Sequence, residues 1–273
     1  MTEQEMRRII EQDPETKDLN ISDADLFRVY QYIVARDQNT VIDGYRPKLI
    51  KEPYIEIVYV PTKEKQEEIR QKNIRKHLKF FDTEVYIQNA TLEGFKVFND
   101  ERQKGYDLAL DFILKYKKKK IEKGLYVYGQ YGTGKSYLLS AIAKELALMN
   151  VTVLFVYMPD LVRTIKQGIQ QGNLEQRINE LKQVPILMLD DLGGENMSPW
   201  FRDEVFVPIL QYRLSAHLPV FISSNFEAIK LLEAFTLDQD ETSRVKAARL
   251  IQRIKDLTTY VKISESRYEN TTL

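Results

Sequence analysis

Eight consecutive residues carry the most specific chemistry in the sequence. Gly129, Gln130, Tyr131, Gly132, Thr133, Gly134, Lys135 and Ser136 meet every fixed position of the phosphate-binding pattern G-x-x-x-x-G-K-[ST]. Glycines leave bare peptide N–H groups free to wrap a polyanion, the lysine meets the outer phosphates, and the hydroxyl suits Mg²⁺. Tyr137 follows directly and is grouped with them as a nucleotide contact. Farther along, the apolar run at 186–189 ends in Asp190 and Asp191. Side chains at the carboxyl edge of a sheet lie where ligands bind. There Asp190 would hold Mg²⁺ through its water shell, and Asp191 would orient or deprotonate an attacking water. Asp191, Leu192, Gly193 and Gly194 also have turn composition, and the two roles are compatible. Asn225, after the next strand, is either a carboxamide touching the γ-phosphate and the water, or the N-cap of the following helix.

These groups need a scaffold that brings strand ends together. Apolar strands at 125–128, 152–157, 186–190 and 220–223 alternate with helices at 135–149, 159–183 and 199–215. A last helix at 243–257 and a fifth strand at 260–263 complete the series. Such alternation means a parallel sheet covered on both faces. Ahead of it, Thr2 and Glu5 fit a capping box for a helix to about residue 11, and Asp13, Pro14 and Asn20 break it. Ser22 is placed to cap a second helix with Leu26, Val29, Tyr30 and Ile33 on one stripe. Gly44, Pro47 and Pro53 punctuate the stretch after this helix, and residues 54–59 alternate as a strand with Ile55, Ile57 and Tyr59 on the buried side. Residues 62–79, rich in Lys, Glu, Gln and Arg, read as a solvated helix. The expected division is a small α+β module at 1–61, a charged helical linker at 62–90 and an ATPase domain at 91–273.

Composition removes several function classes. Forty basic residues balance forty acidic ones, so a nucleic-acid or membrane partner must be met by a local patch. The absence of cysteine excludes a disulfide framework, a thiolate metal site and a cysteine nucleophile, and two histidines are too few for an imidazole cluster. No apolar run approaches the roughly 20 residues of a spanning helix, so no membrane role and a cytoplasmic location are expected.

With GQYGTGKS, ILMLDDLGGE, FISSNF and an arginine-bearing helix in this order, residues 124–263 resemble the AAA+ ATPases, and most of all the bacterial replicative-helicase loaders of the DnaC and DnaI group. The stretches WFRDEVFVPILQYRL, GYRPKL and YIEIVYVPT resemble the DnaI branch. The resemblance implies a P-loop AAA+ core with a five-stranded sheet in the order 5-1-4-3-2. It implies ATP and Mg²⁺ at Lys135, Ser136 and Asp190, Mg-dependent hydrolysis, and a sensor role for Asn225. An arginine of the last helix would reach a neighbouring subunit's γ-phosphate in a ring or spiral, so that hydrolysis depends on assembly. Arg253 is the first candidate, Arg249 the second and Arg244 a distant third; Arg249 and Arg253, four apart, share one helix face, and the alternative for them is a solvated basic stripe. The implied role is ATP-dependent loading of the replicative helicase onto single-stranded DNA as a primosome component, with residues up to about 60 binding the helicase. Three features depart from the group. Its usual cysteine-bearing zinc module has no counterpart here, so zinc is expected absent; the second carboxylate is Asp191 where many AAA+ relatives have Glu; and few residues follow the fifth strand, so no lid domain is expected.

Single-stranded DNA contacts are expected from Lys115 and Lys117 to Lys120 with Tyr116 and Phe112 nearby, and from Arg163 and Lys166. For the lysine run the favoured alternative is a helix end, where cations complement the dipole. Other functions open to a P-loop chain are an IstB-type transposition helper, a small-molecule kinase and a nucleotide-gated adaptor without turnover.

Overall fold

In the computed structural model, which describes residues 1–81, 86–195, 197–236 and 241–264, the capping box forms as its residues require. Glu5 accepts from the Thr2 N–H at 2.8 Å while Thr2 accepts from the Glu5 N–H at 3.4 Å, and helix α1 runs over Glu3–Gln12. Helix α2 (Asp23–Asp37) buries Leu26, Val29, Tyr32 and Ile33. Tyr32 rather than Tyr30 completes the stripe, because its hydroxyl reaches Glu15 at 2.8 Å and satisfies the one polar atom that burial would strand. Ser22 stands at the N-cap, but its hydroxyl donates to Asp25 and accepts from no helix amide.

Strand β1 (Tyr45–Ile50), absent from the sequence expectation, pairs antiparallel with β2 (Glu56–Pro61). Pro47 lies opposite Tyr59 in this two-stranded ribbon, where a missing N–H is tolerated. Tyr59, expected on the buried side, is 56% exposed. These elements with the first part of α3 (Lys63–His77) form one compact unit, Met1–Lys72. Its core of Ile10, Leu26, Val29, Tyr32, Ile33 and Leu49 is small. Arg36 supplements it by pairing with Asp13, with Glu15 at 3.0 Å and with Asp37 at 2.8 Å.

Arg36 hydrogen-bonds the Asp13 carboxylate and holds it below its ordinary value of 3.8, against the opposing pull of burial. A depressed carboxylate stabilises the fold above its unfolded pKa, and that contribution vanishes as pH falls through the lower native value. Arg36→Met is expected to cost about 2 kcal/mol in this unit; a fully buried pair would lose roughly 3–5 kcal/mol. The smaller figure reflects an arginine that is 30% exposed. Hydrogen exchange on the full chain at pH 7 should show amides of α1 and α2 exchanging about 30-fold faster, and the difference should shrink below about pH 4. Unchanged protection would assign the unit's stability to its apolar residues alone.

The second unit, Asn73–Leu273, holds the parallel sheet. Its elements in chain order are β3 (Leu78–Phe80), α4 (Asp100–Lys117), β4 (Gly124–Tyr128), α5 (Lys135–Leu148), β5 (Val153–Tyr157), α6 (Met158–Gln171), α7 (Leu174–Gln183) and β6 (Ile186–Leu192). A π-helical turn at Phe201–Phe206 leads into α8 (Val207–Ser215), followed by β7 (Val220–Ser224), α9 (Ala228–Phe235), α10 (Glu241–Leu257) and β8 (Thr258–Lys262). The order across the sheet is β3-β5-β6-β7-β4-β8. Counted from β4, this is the expected 5-1-4-3-2 with one additional edge strand. The addition is β3, which joins β5 with Leu78 opposite Val153. The expected linker therefore contributes to the core sheet; its residues 82–85 lie outside the described residues, as do residues 265–273 after the last strand.

Alternate strand residues fall into two apolar layers. Leu125, Val127, Phe155 and Phe221 pack with α5, while Leu154, Leu187, Leu189 and Ile222 pack with α6 and α8. The helix expected at 199–215 forms over those residues, with a π-helical turn inside it that buries Phe201, Arg202, Val205 and Phe206 together. Arg213, fully buried, donates to the carbonyls of Leu181 and Val184 at the end of α7, at 3.0 and 2.8 Å, and to that of Pro219 ahead of β7 at 2.8 Å, giving helix-end oxygens a partner. Burial brings its pKa down to about 9, so it keeps its charge at neutral pH.

Candidate functional site

The loop after β4 is shaped by two glycines. A Cβ on Gly129 would lie 2.0 Å from the Ile263 carbonyl oxygen, so only glycine passes beneath the chain leaving β8. Gly134 adopts φ 95° as the N-cap of α5, which leaves the first amides of the helix free. The Thr133 hydroxyl donates to the Gln130 carbonyl at 2.9 Å and closes the loop. Lys135 is buried and donates to the same carbonyl and to Asn225 Oδ1, both at 2.8 Å. Burial pushes its ammonium pKa down, opposed by Asp191 and Asp190. A desolvated cation hydrogen-bonded to neutral oxygens beside free helix amides is a site that an anion would stabilise.

The paired carboxylates reach this loop across an intervening strand. β7 lies between β4 and β6, so the strand bearing Asp190 is not the immediate neighbour of the loop's own strand. Ser223 of β7 bridges the gap by donating to Asp190 Oδ1 at 2.5 Å, and Ser136 donates to the same oxygen at 2.9 Å. Burial raises the Asp190 pKa, and the two hydroxyls oppose the rise. Asp191 occupies a break in the ladder, where the register shifts between Leu189 and Leu192 and its φ is 62°. Its N–H donates to Ser223 Oγ at 2.9 Å, and its Oδ1 accepts from Asn225 Nδ2 at 3.0 Å. Asn225 thus joins Lys135 to Asp191. The N-cap of α9 is Glu227, so Asn225 does not have the capping role that local sequence left open.

Residues 131–137, Asp190, Asp191 and Asn225 line one cavity of about 510 Å³. Gly129 and Gln130 stand at the loop's entrance and are not on its wall. Tyr131 is 87% exposed, whereas the Tyr137 hydroxyl accepts from the Thr91 N–H at 3.3 Å. The wall also includes Phe95, Phe98, Arg102, Tyr157 and Ser223, which sequence reasoning did not place there as ligand contacts. Tyr157 ends β5 opposite Asp190; burial raises its pKa, and a hydrogen bond to Asp191 adds to the rise. Its position at a strand's carboxyl end was the available signal. Arg102, in the first turn of α4, carried none.

Arg253 and Arg249 lie on α10, off the cavity wall. Arg253 donates to Gln211 at 2.9 Å and to the Arg249 carbonyl at 3.1 Å, while Arg249 and Arg244 are exposed. Phe112, expected beside the lysine run as a platform for bases, is instead core: it stacks on Tyr116 and meets the edge of Phe221 at 4.7 Å. Lys115 is engaged by Asp111 and Glu122, both at 2.9 Å, at the C-terminal turn of α4. Arg163 pairs with Asp160 at 2.8 Å, and Lys166 is exposed on the same helix. No helix among the described residues is long and apolar enough to cross a membrane.

Comparison with known proteins agrees with this geometry. The family model described as IstB-like ATP binding protein matches residues 66–268. The replicative helicase loader DnaI of Bacillus subtilis (strain 168) is 34% identical across 96% of this chain and 88% of its own length. The replicative helicase loader DnaC of Escherichia coli (strain K12) is 30% identical over 116 residues, 41% of this chain and 47% of that protein. Among solved structures, a crystal structure of DnaI superposes with a TM-score of 0.64 at 41% identity, covering 69% of this chain and 98% of that one. The family model covers little more than the ATP-binding core, whereas the similarity to DnaI extends through the N-terminal unit as well. The chain therefore belongs to the replicative helicase loaders of the DnaI kind, built on an IstB-like ATP-binding domain.

Proposed function

We propose that this protein hydrolyses ATP in the cytoplasm to load a replicative DNA helicase onto single-stranded DNA, with residues 1–61 docking the helicase and 91–273 forming the motor. The observation that carries this reading is similarity to a helicase loader over 96% of the chain, including the unit that precedes the ATP-binding core. It favours the loader over an IstB-type transposition helper or a small-molecule kinase.

In this reading the free amides at 132–136 cradle the phosphates and Lys135 leaves Gln130 and Asn225 to meet the outer ones. No three acidic, histidine or cysteine side chains among the described residues form a metal cage. Mg²⁺ held by one or two protein oxygens plus phosphates fits that composition, and Ser136 and Asp190 are the donors. The ion would neutralise charge on the transferring oxygens. Asp191 holds the attacking water and accepts its proton. Asn225, already between Lys135 and Asp191, reports whether the outer phosphate is present.

Arg253, or else Arg249, acts on the nucleotide of the next subunit when several copies assemble in a ring or spiral. Its position off the cavity wall fits a group that works in trans. The test is ADP release by the chain alone and with its host's replicative helicase and single-stranded DNA. Stimulation of at least about tenfold is expected for the parent and none for Arg253→Ala, which should still bind ATP. A chain that neither co-purifies with the helicase nor responds to it would sink the loader reading; equal stimulation of Arg253→Ala would move the finger elsewhere.

A further inference from the structure

The cavity wall contains a buried arginine for which the proposed chemistry has no use. Arg102 is 5% exposed. It sits in the first turn of α4, where Asn99 Oδ1 accepts its N–H at 2.9 Å and fixes where the side chain starts. Its guanidinium carbon lies 4.4 Å from the Phe95 ring centre and 4.5 Å from that of Phe98. Nε donates to the Lys96 carbonyl and Nη1 to the Thr133 carbonyl, each at 2.5 Å. A Cβ built on Gly134 would come within 3.5 Å of Nη2, so the guanidinium lies directly against the phosphate loop.

The Thr133 carbonyl and the Gly134 N–H belong to one planar trans peptide, in which the two groups point in opposite directions. A donor that captures the carbonyl therefore sets the direction of the Gly134 N–H. Glycine at φ 95° has little steric preference of its own to hold that plane. We propose that Arg102 is a positioning residue that holds the 133–134 peptide so that the Gly134 N–H faces the bound phosphates, with Phe95, Lys96 and Phe98 as its mount. The planar fork suits the task, because it spans two carbonyls on different segments while its faces stack on the rings. A lysine in its place would present a point charge able to hold one carbonyl but not the geometry of both.

This inference rests on the nucleotide reading of the cavity, and the experiment separates the two. Competition against a labelled ADP would measure the affinities of MgATP and of inorganic tripolyphosphate for the parent, Arg102→Met, Arg102→Lys and Phe98→Leu. Arg102→Met should weaken both competitors by about tenfold, because the defect lies in the loop that holds phosphate. Arg102→Lys should recover part of that loss, and Phe98→Leu, at a half-exposed position, should weaken both by about threefold. Should Arg102→Met fail to fold, Phe98→Leu and Arg102→Lys decide the matter in the same way. Unchanged affinities would overturn the proposal. So would a loss for MgATP alone, since that would make Arg102 a contact for the base. If the parent itself binds neither competitor, the nucleotide reading falls and this one with it.

Discussion

Lys135→Ala is expected to weaken MgATP binding by at least about a hundredfold. Each charge-assisted hydrogen bond from this ammonium to a phosphate oxygen contributes roughly 1.5–3 kcal/mol, and two of them account for that factor. Removing the lysine should not weaken the unliganded fold. Burial depresses its pKa, so the charged form is disfavoured in the native state and the unfolded chain binds more protons. By linkage, a lysine depressed in this way adds stability only as pH rises through its native pKa, and near neutrality the charged side chain opposes folding. Isothermal titration with MgATP, alongside thermal unfolding, separates the two effects. The variant should unfold no earlier than the parent when both are free of nucleotide, and ATP should raise the midpoint of the parent alone. Equal ATP affinity in the two proteins would discard the assignment of the cavity.

Asp191→Asn is expected to do the opposite: to bind ATP within about threefold of the parent and to lose turnover by at least about a hundredfold, the usual size of a general-base contribution. Asparagine is isosteric, and its carbonyl oxygen can still accept the hydrogen bond that Asn225 Nδ2 makes at 3.0 Å, so the loop between Lys135 and Asp191 should keep its shape. What disappears is the capacity to take a proton. Single-turnover ADP formation in the presence of helicase and single-stranded DNA is the measurement. Retained turnover would redirect attention to Glu195, four residues on in the turn after β6. Its carboxyl is pushed up to about 7 by burial, against hydrogen bonds from backbone amides that include Gly193 at 2.8 Å.

The phosphate loop was legible in the sequence because its parts are contiguous: the glycines, the lysine and the hydroxyl occupy eight consecutive positions and need only a strand before and a helix after them. The capping box at Thr2 and Glu5 is local in the same sense. Elements were harder wherever a distant partner decided them. Pro47 looked like punctuation, yet the ribbon with Tyr59 accommodates it. The charged stretch after residue 62 looked largely solvated, yet Leu78 and Phe80 find an open sheet edge beside Val153 and Phe155. The helix expected across 199–215 is present, but the π-helical turn inside it, which gives Phe201, Val205 and Phe206 a common buried face with Arg202, has no local signal. Phe112 has the spacing of a surface platform beside lysines, but it is the side chain that fills the space against Phe221.

By itself the sequence determined that a phosphate loop follows a buried strand, that two adjacent carboxylates end another, and that no cysteine chemistry supports either. Spacing within a single element decides such features, since helix and strand periodicities dictate where neighbouring side chains point. Tertiary structure alone decided that Ser223 bridges to Ser136's partner Asp190 from β7, that Tyr157 reaches Asp191, that Asn225 links Lys135 to Asp191, and that Arg102 braces the Thr133 carbonyl. Those contacts join residues from separate strands and helices, and their existence depends on the order of strands in the sheet and on the twist that converges their ends. No periodicity along the chain encodes that order; it follows from which faces must be buried together.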